Sequence, residues 1–446
     1  MKNQMTLLGG AALGAMVVAC FAAPADAKTV KHKARPRPAA SAQSEEIREL
    51  RKQVQALTDR LNAQESAQQQ TQAQAQQAQV QAQAAATQVQ QVQAQADASI
   101  KTIPTQVSSA VSALPKAKPS WADNTSVSGR MFYNLSNVEQ KSDGKKVAPS
   151  GFGLDVKRFY IGVDHKFNDV FSANVTTDFN YIAADGETQL FIKKAYLQAK
   201  LSDALVVRVG SADLPWVPFV EDLYGYRYVE NVLIDRTKFG TSADWGVHAS
   251  GKFFDGHLNY ALSVVDGAGY KAPLRSKGMD VEGRVNLKFD NVVLAVGGYT
   301  GKLGKDTQGA LTYHTAERFD ALAAYTTNKF RVGAEYFSAS DWNNVTTAAA
   351  DKSEGYGVFG SYNFTDQIGV FGRYDWVKPK KDQASSLKDD YFNIGASYSP
   401  YKNVDFSLVY KRDSVDNGTV STSNGAIGGV NKGTYDEIGV FGQLRY

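Results

Sequence analysis

From Thr125 onward, apolar and polar residues alternate in short runs rich in Val, Tyr, Phe and Gly, each bounded by turn residues; this pattern predicts strands. In "WGVHASGKFFDGHLNYALSVV" the Asp255-Gly256 pair is a hairpin turn. It separates an arm carrying Trp245, Val247, Ala249 and Phe253 from one carrying Leu258, Tyr260, Leu262 and Val264. Comparable tight turns are expected at Asn168-Asp169, Ser202-Asp203, Asp290-Asn291, Asn328-Lys329, Thr365-Asp366 and Pro400-Tyr401. Longer polar connections fall near 137–153, 183–187, 213–240, 267–277, 303–313, 341–351, 378–388 and 415–433. Strict alternation of short turns with long loops predicts an all-β, 16-stranded antiparallel transmembrane β-barrel over 125–446. A sandwich or solenoid requires no such alternation.

The pattern upstream is helical. In "SEEIRELRKQVQALTDRLNAQ", Ile47, Leu50, Val54, Leu57 and Leu61 recur at steps of three and four, the a and d seam of a coiled coil. Ser44, with Glu45, Glu46 and Glu49 after it, suits a helix start. A coiled-coil helix over 44–103 is expected, ended by Pro104, with a proline-containing linker over 104–124. Through the Gln/Ala tract at 67–100 the seam is weak, and low-complexity disorder stands there as a second reading. A helix with an apolar seam does not bury it alone, so self-association is implied.

Residues 28–43 form a basic, proline-containing leader, read as a solvated segment or as an attachment to an anionic cell-wall polymer. Residues 1–27 carry Lys2, an apolar run and the small-x-small site Ala25-Asp26-Ala27, the pattern of a secretory signal peptide cleaved after Ala27. Two alternatives to that cleavage are an uncleaved anchor and processing at "VVAC", which leaves a lipidated Cys20 as the new amino terminus. Cys20 is the one cysteine, so cleavage after Ala27 leaves neither disulfides nor thiolate metal sites.

Charge changes the picture only locally. The formal net charge is +4, but residues 125–446 are nearly balanced, which argues against a nucleic-acid partner. On strands that meet lipid, polar residues report the lumen face. In "KRFYIGVDHKF", Phe159, Ile161, Val163 and Phe167 point outward and Arg158, Tyr160, Asp164 and Lys166 inward. The same logic makes Arg130, Arg158, Lys166, Lys194, Arg208, Lys252, Arg284, Arg331, Arg373 and Lys411 the basic pore-lining candidates. Two readings follow: the cations concentrate anions in the lumen, or they pair across strands with inward acids and keep the lumen wet.

The segment "DLPWVPFVEDLYGYRYVENVLIDRTKFG" is too apolar for a solvated loop. Folding into the barrel buries its aromatic residues and brings Glu221, Asp222, Arg227, Glu230 and Arg236 to a constriction; packing on a neighbouring subunit is the alternative. No catalytic role is expected. "GYGVFG" at 355–360 matches a dinucleotide-binding glycine pattern but lies in an alternating strand, and no metal-ligand, nucleophile-elbow or phosphate-loop spacing occurs. No cofactor is implied.

The run "VKRFYIGVDHKFNDVFSANVTTDFN", then "KKAYLQAKLSDALVVRVGSADLPWVPFVEDLYGYRYVEN", resembles the early strands of the phosphate-selective porin O/P family. The resemblance lies in Lys157-Arg158 before an aromatic-Ile-Gly strand, Asp178-Phe179, Ala195-Tyr196-Leu197, and Arg208-Val209-Gly210 leading to Pro218-Phe219. It implies a homotrimer of sixteen-stranded channels with a folded-in constriction loop. Asp213 stands in a segment where relatives often carry a basic residue, so phosphate specificity does not follow. A terminal aromatic such as Tyr446 resembles the signal read by barrel-assembly machinery. The expectation is a porin in the outer membrane of a Gram-negative bacterium, its helix in the periplasm, passing small hydrophilic solutes with a mild anion preference. The alternative is a structural outer-membrane anchor whose coiled coil tethers the barrel to the periplasm or cell wall.

Overall fold

The computed structural model describes residues 40–113, 121–182 and 187–446, and the segments read as a signal peptide and most of the basic leader lie outside them. The chain divides into two units, Met1–Lys116 and Ala117–Tyr446.

The described part of the first unit is one helix, α1 (Ala40–Ala113), roughly 110 Å long at 1.5 Å per residue. Ala and Gln dominate it, and both are strong helix formers. The helix does not stop at Pro104 as the sequence predicts but continues to Ala113. Proline removes one i→i−4 bond and strains one turn; good helix formers on both sides hold the segment together across that defect. Leu50, Val54, Leu57 and Leu61 all stay exposed on the single chain.

In the second unit, sixteen strands are present among the described residues: β1 (Thr125–Ser142), β2 (Lys145–Lys166), β3 (Phe171–Ile182), β4 (Glu187–Ser202), β5 (Leu205–Asp213), β6 (Ala243–Phe253), β7 (Leu258–Val265) and β8 (Asp280–Phe289), then β9 (Val292–Gly301), β10 (Ala316–Thr326), β11 (Phe330–Ser340), β12 (Lys352–Asn363), β13 (Ile368–Lys378), β14 (Lys388–Tyr401), β15 (Val404–Thr422) and β16 (Gly425–Arg445). Each pairs antiparallel with its sequence neighbours, and β1 pairs with β16 from Arg130↔Arg445 to Ser142↔Gly433, closing the barrel.

Burial is inverted relative to a water-soluble protein. Phe319, Val332, Val358, Val370, Ile394, Leu408 and Ile438 are exposed on the outside, while Arg318, Asp320, Glu335, Arg373, Asp375, Lys411 and Glu437 are buried within. The 2-residue period forces this segregation once one face meets hydrocarbon. No helix among the described residues is long and apolar enough to cross a membrane; the strands supply the apolar surface instead.

Two expected loops are corrected. Residues 137–153 and 415–433 are strand, not loop: β1 turns into β2 at Asp143-Gly144, and β15 into β16 between Thr422 and Gly425. These four adjacent strands run 18, 22, 19 and 21 residues, where crossing a bilayer takes about 9–11. Beyond the lipid the outer face meets water and no longer has to be apolar, so the sequence alternation that betrays a strand fades. What holds the extension is an inner cluster of Val415, Val420, Ile427, Tyr435 and Leu387, with Val138 against it. Asp143 adds to this at the tip, accepting backbone N–H bonds from Val430, Asn431 and Lys432. The turn expected at Pro400-Tyr401 falls instead at Lys402-Asn403, where Asn403 takes φ 74°. Most of the predicted 183–187 connection lies outside the described residues.

Candidate functional site

The connection from β5 to β6 folds into the barrel. Pro218 lies in the first turn of α2 (Val217–Tyr224), and Gly225 ends that helix at φ 79° with its N–H on the Glu221 carbonyl. A single further turn, α3 (Leu233–Arg236), follows. Trp216, Val220, Leu233, Ile234 and Phe239 pack on Ala295, Leu322, Phe337 and Phe359 of the inner wall. Each such large side chain contributes on the order of 1.5–3 kcal/mol by leaving water. Tyr226 stacks on Phe371 at 3.9 Å, and the Tyr228 hydroxyl meets Ser407 at 2.6 Å. The apolar residues that made a solvated loop implausible are therefore facing the wall from within.

Polar groups fix the loop at both ends and along its length. Glu282 accepts the Trp216 N–H, Arg284 donates to the Pro215 carbonyl, Arg373 to the Asn231 carbonyl, and Arg318 to the Phe239 carbonyl. Arg236, fully buried, donates to Asp375 at 2.9 Å, Asp389 at 2.8 Å and Asp413 at 3.1 Å, one carboxylate from each of β13, β14 and β15. Its guanidinium also lies 4.5 Å from the Tyr391 ring. Glu230 pairs with Lys411 at 3.1 Å, and Lys411 with Glu437 at 2.8 Å. Burial opposes ionisation of Glu230, but Lys411 and Lys157 outweigh it and hold its carboxyl below the usual carboxylate range.

Three of the ten predicted basic pore-liners, Arg284, Arg373 and Lys411, are thus spent on the loop. Arg158 is tied to Asp178 at 2.9 Å, and Tyr270 donates to the same carboxylate. Arg208 donates to Gln198 and lies over Tyr196. Lys166 and Lys252 sit beside the short turns, paired to Asp169 and Asp203 at strand ends remote from the constriction. Arg331 lines a small recess with Gly225 and Tyr226 on the short-turn side of the loop. Only Arg130 and Lys194 of the ten reach the principal opening.

That opening is a cavity of about 540 Å³ between the loop and the wall of β1 to β5. Arg130, Lys193 and Lys194 face Glu221, Asp222 and Arg227 across it. Lys194 pairs with Asp213 at 2.5 Å, and Glu221 with Arg227 at 2.5 Å. Asp235 takes the other side of Arg227 at 3.7 Å. Arg130 makes no ion pair among the described residues, and neither does Asp222. Asp222 is open to the lumen yet enclosed by the barrel; that burial first, and the neighbouring Glu221 second, raise its carboxyl above the ordinary aspartate value. At the outer side Lys271, in the β7–β8 connection, lies 4.8 Å from the Phe191 ring, and burial, then Arg158, push it down to about 8.

Lys193 escaped sequence reasoning. Strict alternation with Lys194 inward sends Lys193 to lipid, but β3 and β4 shift register between Thr176↔Lys194 and Thr177↔Ile192. The extra residue of that bulge is Lys193, and it turns inward beside Lys194. Two consecutive lysines in an otherwise lipid-facing strand were the available signal, since one of them had to break the period. Gly355 to Gly360 lie inside β12, paired on both edges, with no helix after them.

No family model and no curated protein matches the chain. Solved structures do match in fold. The outer membrane channel DcaP of Acinetobacter baumannii is 12% identical, with a TM-score of 0.52 and coverage of 72% of this chain and 97% of that one. An anion-selective porin from Comamonas acidovorans is 13% identical, with a TM-score of 0.52 and coverage of 72% and 99%. OmpT of Vibrio cholerae, in its trimer form, is 11% identical, with a TM-score of 0.51 and coverage of 72% and 99%. At these identities the likeness is one of fold: a porin-type barrel.

Proposed function

We propose that the chain is an outer-membrane porin, a passive channel for small hydrophilic solutes with a mild preference for anions. The observation that carries it is the lumen cavity between the inward-folded loop and a cationic wall. Most charges there cancel in pairs, which leaves Arg130 and Lys193 against Asp222 and Asp164 as the groups without an ion pair among the described residues. The cavity lining carries five cations against four carboxylates, Arg130, Lys193, Lys194, Arg227 and Arg445 against Asp164, Asp213, Glu221 and Asp222. That narrow excess supports no more than a mild anion preference and gives no reason for phosphate specificity, so the finer reading as a phosphate-selective porin O/P channel rests on sequence resemblance alone.

Reversal potential across a planar bilayer under a potassium chloride gradient tests the reading. Chloride should be favoured; cation preference would end the anion proposal, and absence of conductance would end the channel. One unit charge at 5–7 Å in water is worth ~0.7 kcal/mol, so Asp222→Asn should raise the chloride-to-potassium permeability ratio about threefold. The pH dependence has a defined sign. Because the Asp222 carboxyl is raised, with Glu221, Arg130, Asp213 and Lys194 around it, acidification neutralises it before an ordinary aspartate, and anion preference should climb early as pH falls. Asp222→Asn should remove that early rise.

The exposed Leu50, Val54, Leu57 and Leu61 stripe favours association of α1 with further copies of the chain as a coiled coil, in the periplasm. A homotrimer is the natural count, in line with the trimer form described for OmpT. Deletion of 44–100 should lower trimer yield without abolishing single-barrel conductance. A purely structural tether predicts the reverse, an envelope defect with no change in permeability.

A further inference from the structure

Lys193 is a buried cation with no carboxylate in contact with it; Glu221 and Asp213 act on it only across the cavity. Its side chain is about nine-tenths buried, it makes no ion pair among the described residues, and its one polar contact is the Tyr160 hydroxyl at 3.5 Å. The ammonium lies 4.6 Å from the centroid of the Tyr160 ring and 6.0 Å from that of Tyr270. Cation–π contact offsets part of the desolvation of an ammonium but does not neutralise it. The neighbouring cations are in different states. Lys194 is satisfied by Asp213, whereas Arg130, across the same cavity, has its planar five-donor fork unpaired among the described residues. The cavity wall beside them presents the aromatic faces of Tyr160, Phe132 and Tyr196 among the polar Asp164, Asn174 and Thr176, and Pro218 faces it from the loop.

We infer that this cavity is a binding subsite for a small aromatic carboxylate. The carboxylate takes the charge of Lys193 and the bidentate fork of Arg130, and the ring lies against the aromatic wall. Aliphatic acids satisfy the first requirement but not the second. An aromatic ammonium satisfies the second and is repelled by the first. Asp222 and the Glu221–Arg227 pair on the loop side keep the opposite wall hydrated, so the ligand is held on the β1–β4 side and released along the lumen. The inference rests on the channel reading for how ligand reaches the site, while binding itself does not require conduction.

Calorimetric titration of the full-length, detergent-purified protein with sodium benzoate, sodium acetate and benzylamine hydrochloride provides the test, paired with bilayer recordings of the same preparation. Benzoate should bind at least about tenfold more tightly than either control, and should interrupt the current reversibly. Lys193→Met and Arg130→Gln, verified as folded by heat-modifiable migration, should each weaken benzoate by about tenfold. Lys252→Met, at the turn end of β6, should leave it unchanged. Equal binding of benzoate and benzylamine by the unaltered protein overturns the subsite, as does undiminished benzoate binding by folded Lys193→Met. Benzoate binding without any conductance upholds the subsite and fails the channel; conductance with no benzoate binding does the opposite. A folded Lys193→Gln variant provides the second substitution should methionine prevent insertion. Loss of a merely structural lysine would lower the unfolding temperature, whereas removal of an unpaired buried charge should not lower it.

Discussion

Arg236→Met is expected to release the constriction loop from its seat, giving a channel with larger and noisier current while the barrel itself stays closed. Arg236 is the common partner of Asp375, Asp389 and Asp413. Asp375 has a second cation, Arg373 at 2.7 Å, but one carboxylate oxygen of Asp389 and one of Asp413 have no hydrogen-bond partner among the described residues. Removing the guanidinium leaves those two carboxylates buried and unanswered, and breaking a buried pair from one side costs about 3–5 kcal/mol. The apolar packing of Trp216, Val220 and Phe239 remains, so the loop should loosen rather than vanish. The triple variant Arg236→Met, Asp389→Asn, Asp413→Asn removes the stranded charges along with their partner, and should recover much of the quiet, small conductance. Single-channel recording of the three proteins checks this. Unchanged current noise in Arg236→Met would show that packing alone seats the loop.

The barrel was legible because the lipid imposes a period. Alternation in β6 and β7 located both arms and the Asp255-Gly256 turn from residue types alone, and the order of short and long connections gave sixteen strands. Legibility ended where the lipid did. In β1, β2, β15 and β16 the outward face of the extensions stands in water and is free to be polar, so Lys145 to Gly153 and Val415 to Gly433 read as loops although they are paired backbone. Pairing is a property of two distant segments, and Asp143 reaching the N–H groups of 430–432 leaves no local trace.

The candidate site divides along the same line. That the 213–240 segment turns inward was readable from its excess of aromatics, and so was the arrival there of Glu221, Asp222 and Arg227. Which inward cations remain free was not. Arg373 and Arg130 have the same sequence signature, a basic residue in phase with the lumen. One is sunk against Asp375 and the Asn231 carbonyl, and the other is open to the cavity. Partner choice depends on the height of each residue along tilted strands and on where the loop lands, neither of which a period encodes. Lys193 was hidden for a different reason: a one-residue bulge reverses the phase of everything beyond it.

The closing seam is the other place where one atom should have a large effect. A Cβ added at Gly439 in β16 would lie 2.4 Å from the Leu135 carbonyl oxygen and 2.5 Å from the Ser136 Cα across the β1 ladder. These are backbone atoms of the paired strand, so no side chain can swing aside to make room. Gly439→Val should therefore prevent closure, with little heat-modifiable folded protein recovered, whereas Gly153→Ala in β2, where an added Cβ meets nothing within 4 Å, should fold normally. Tyr446 belongs to the same seam but makes a different claim. Its backbone pairs with Gly129 in both directions, at 2.9 and 3.1 Å, and its ring lies over that glycine. If the terminal aromatic acts chiefly as a signal to assembly machinery, deletion of Tyr446 should sharply reduce insertion in cells yet leave refolding from urea into detergent nearly intact. Gly439→Val should fail in both settings, because its defect lies in the geometry of the β1–β16 pair and not in recognition. Equal loss in cells and in detergent on deleting Tyr446 would assign that residue to packing alone, and normal refolding of Gly439→Val would mean that the strands can separate at Ser136 without opening the barrel.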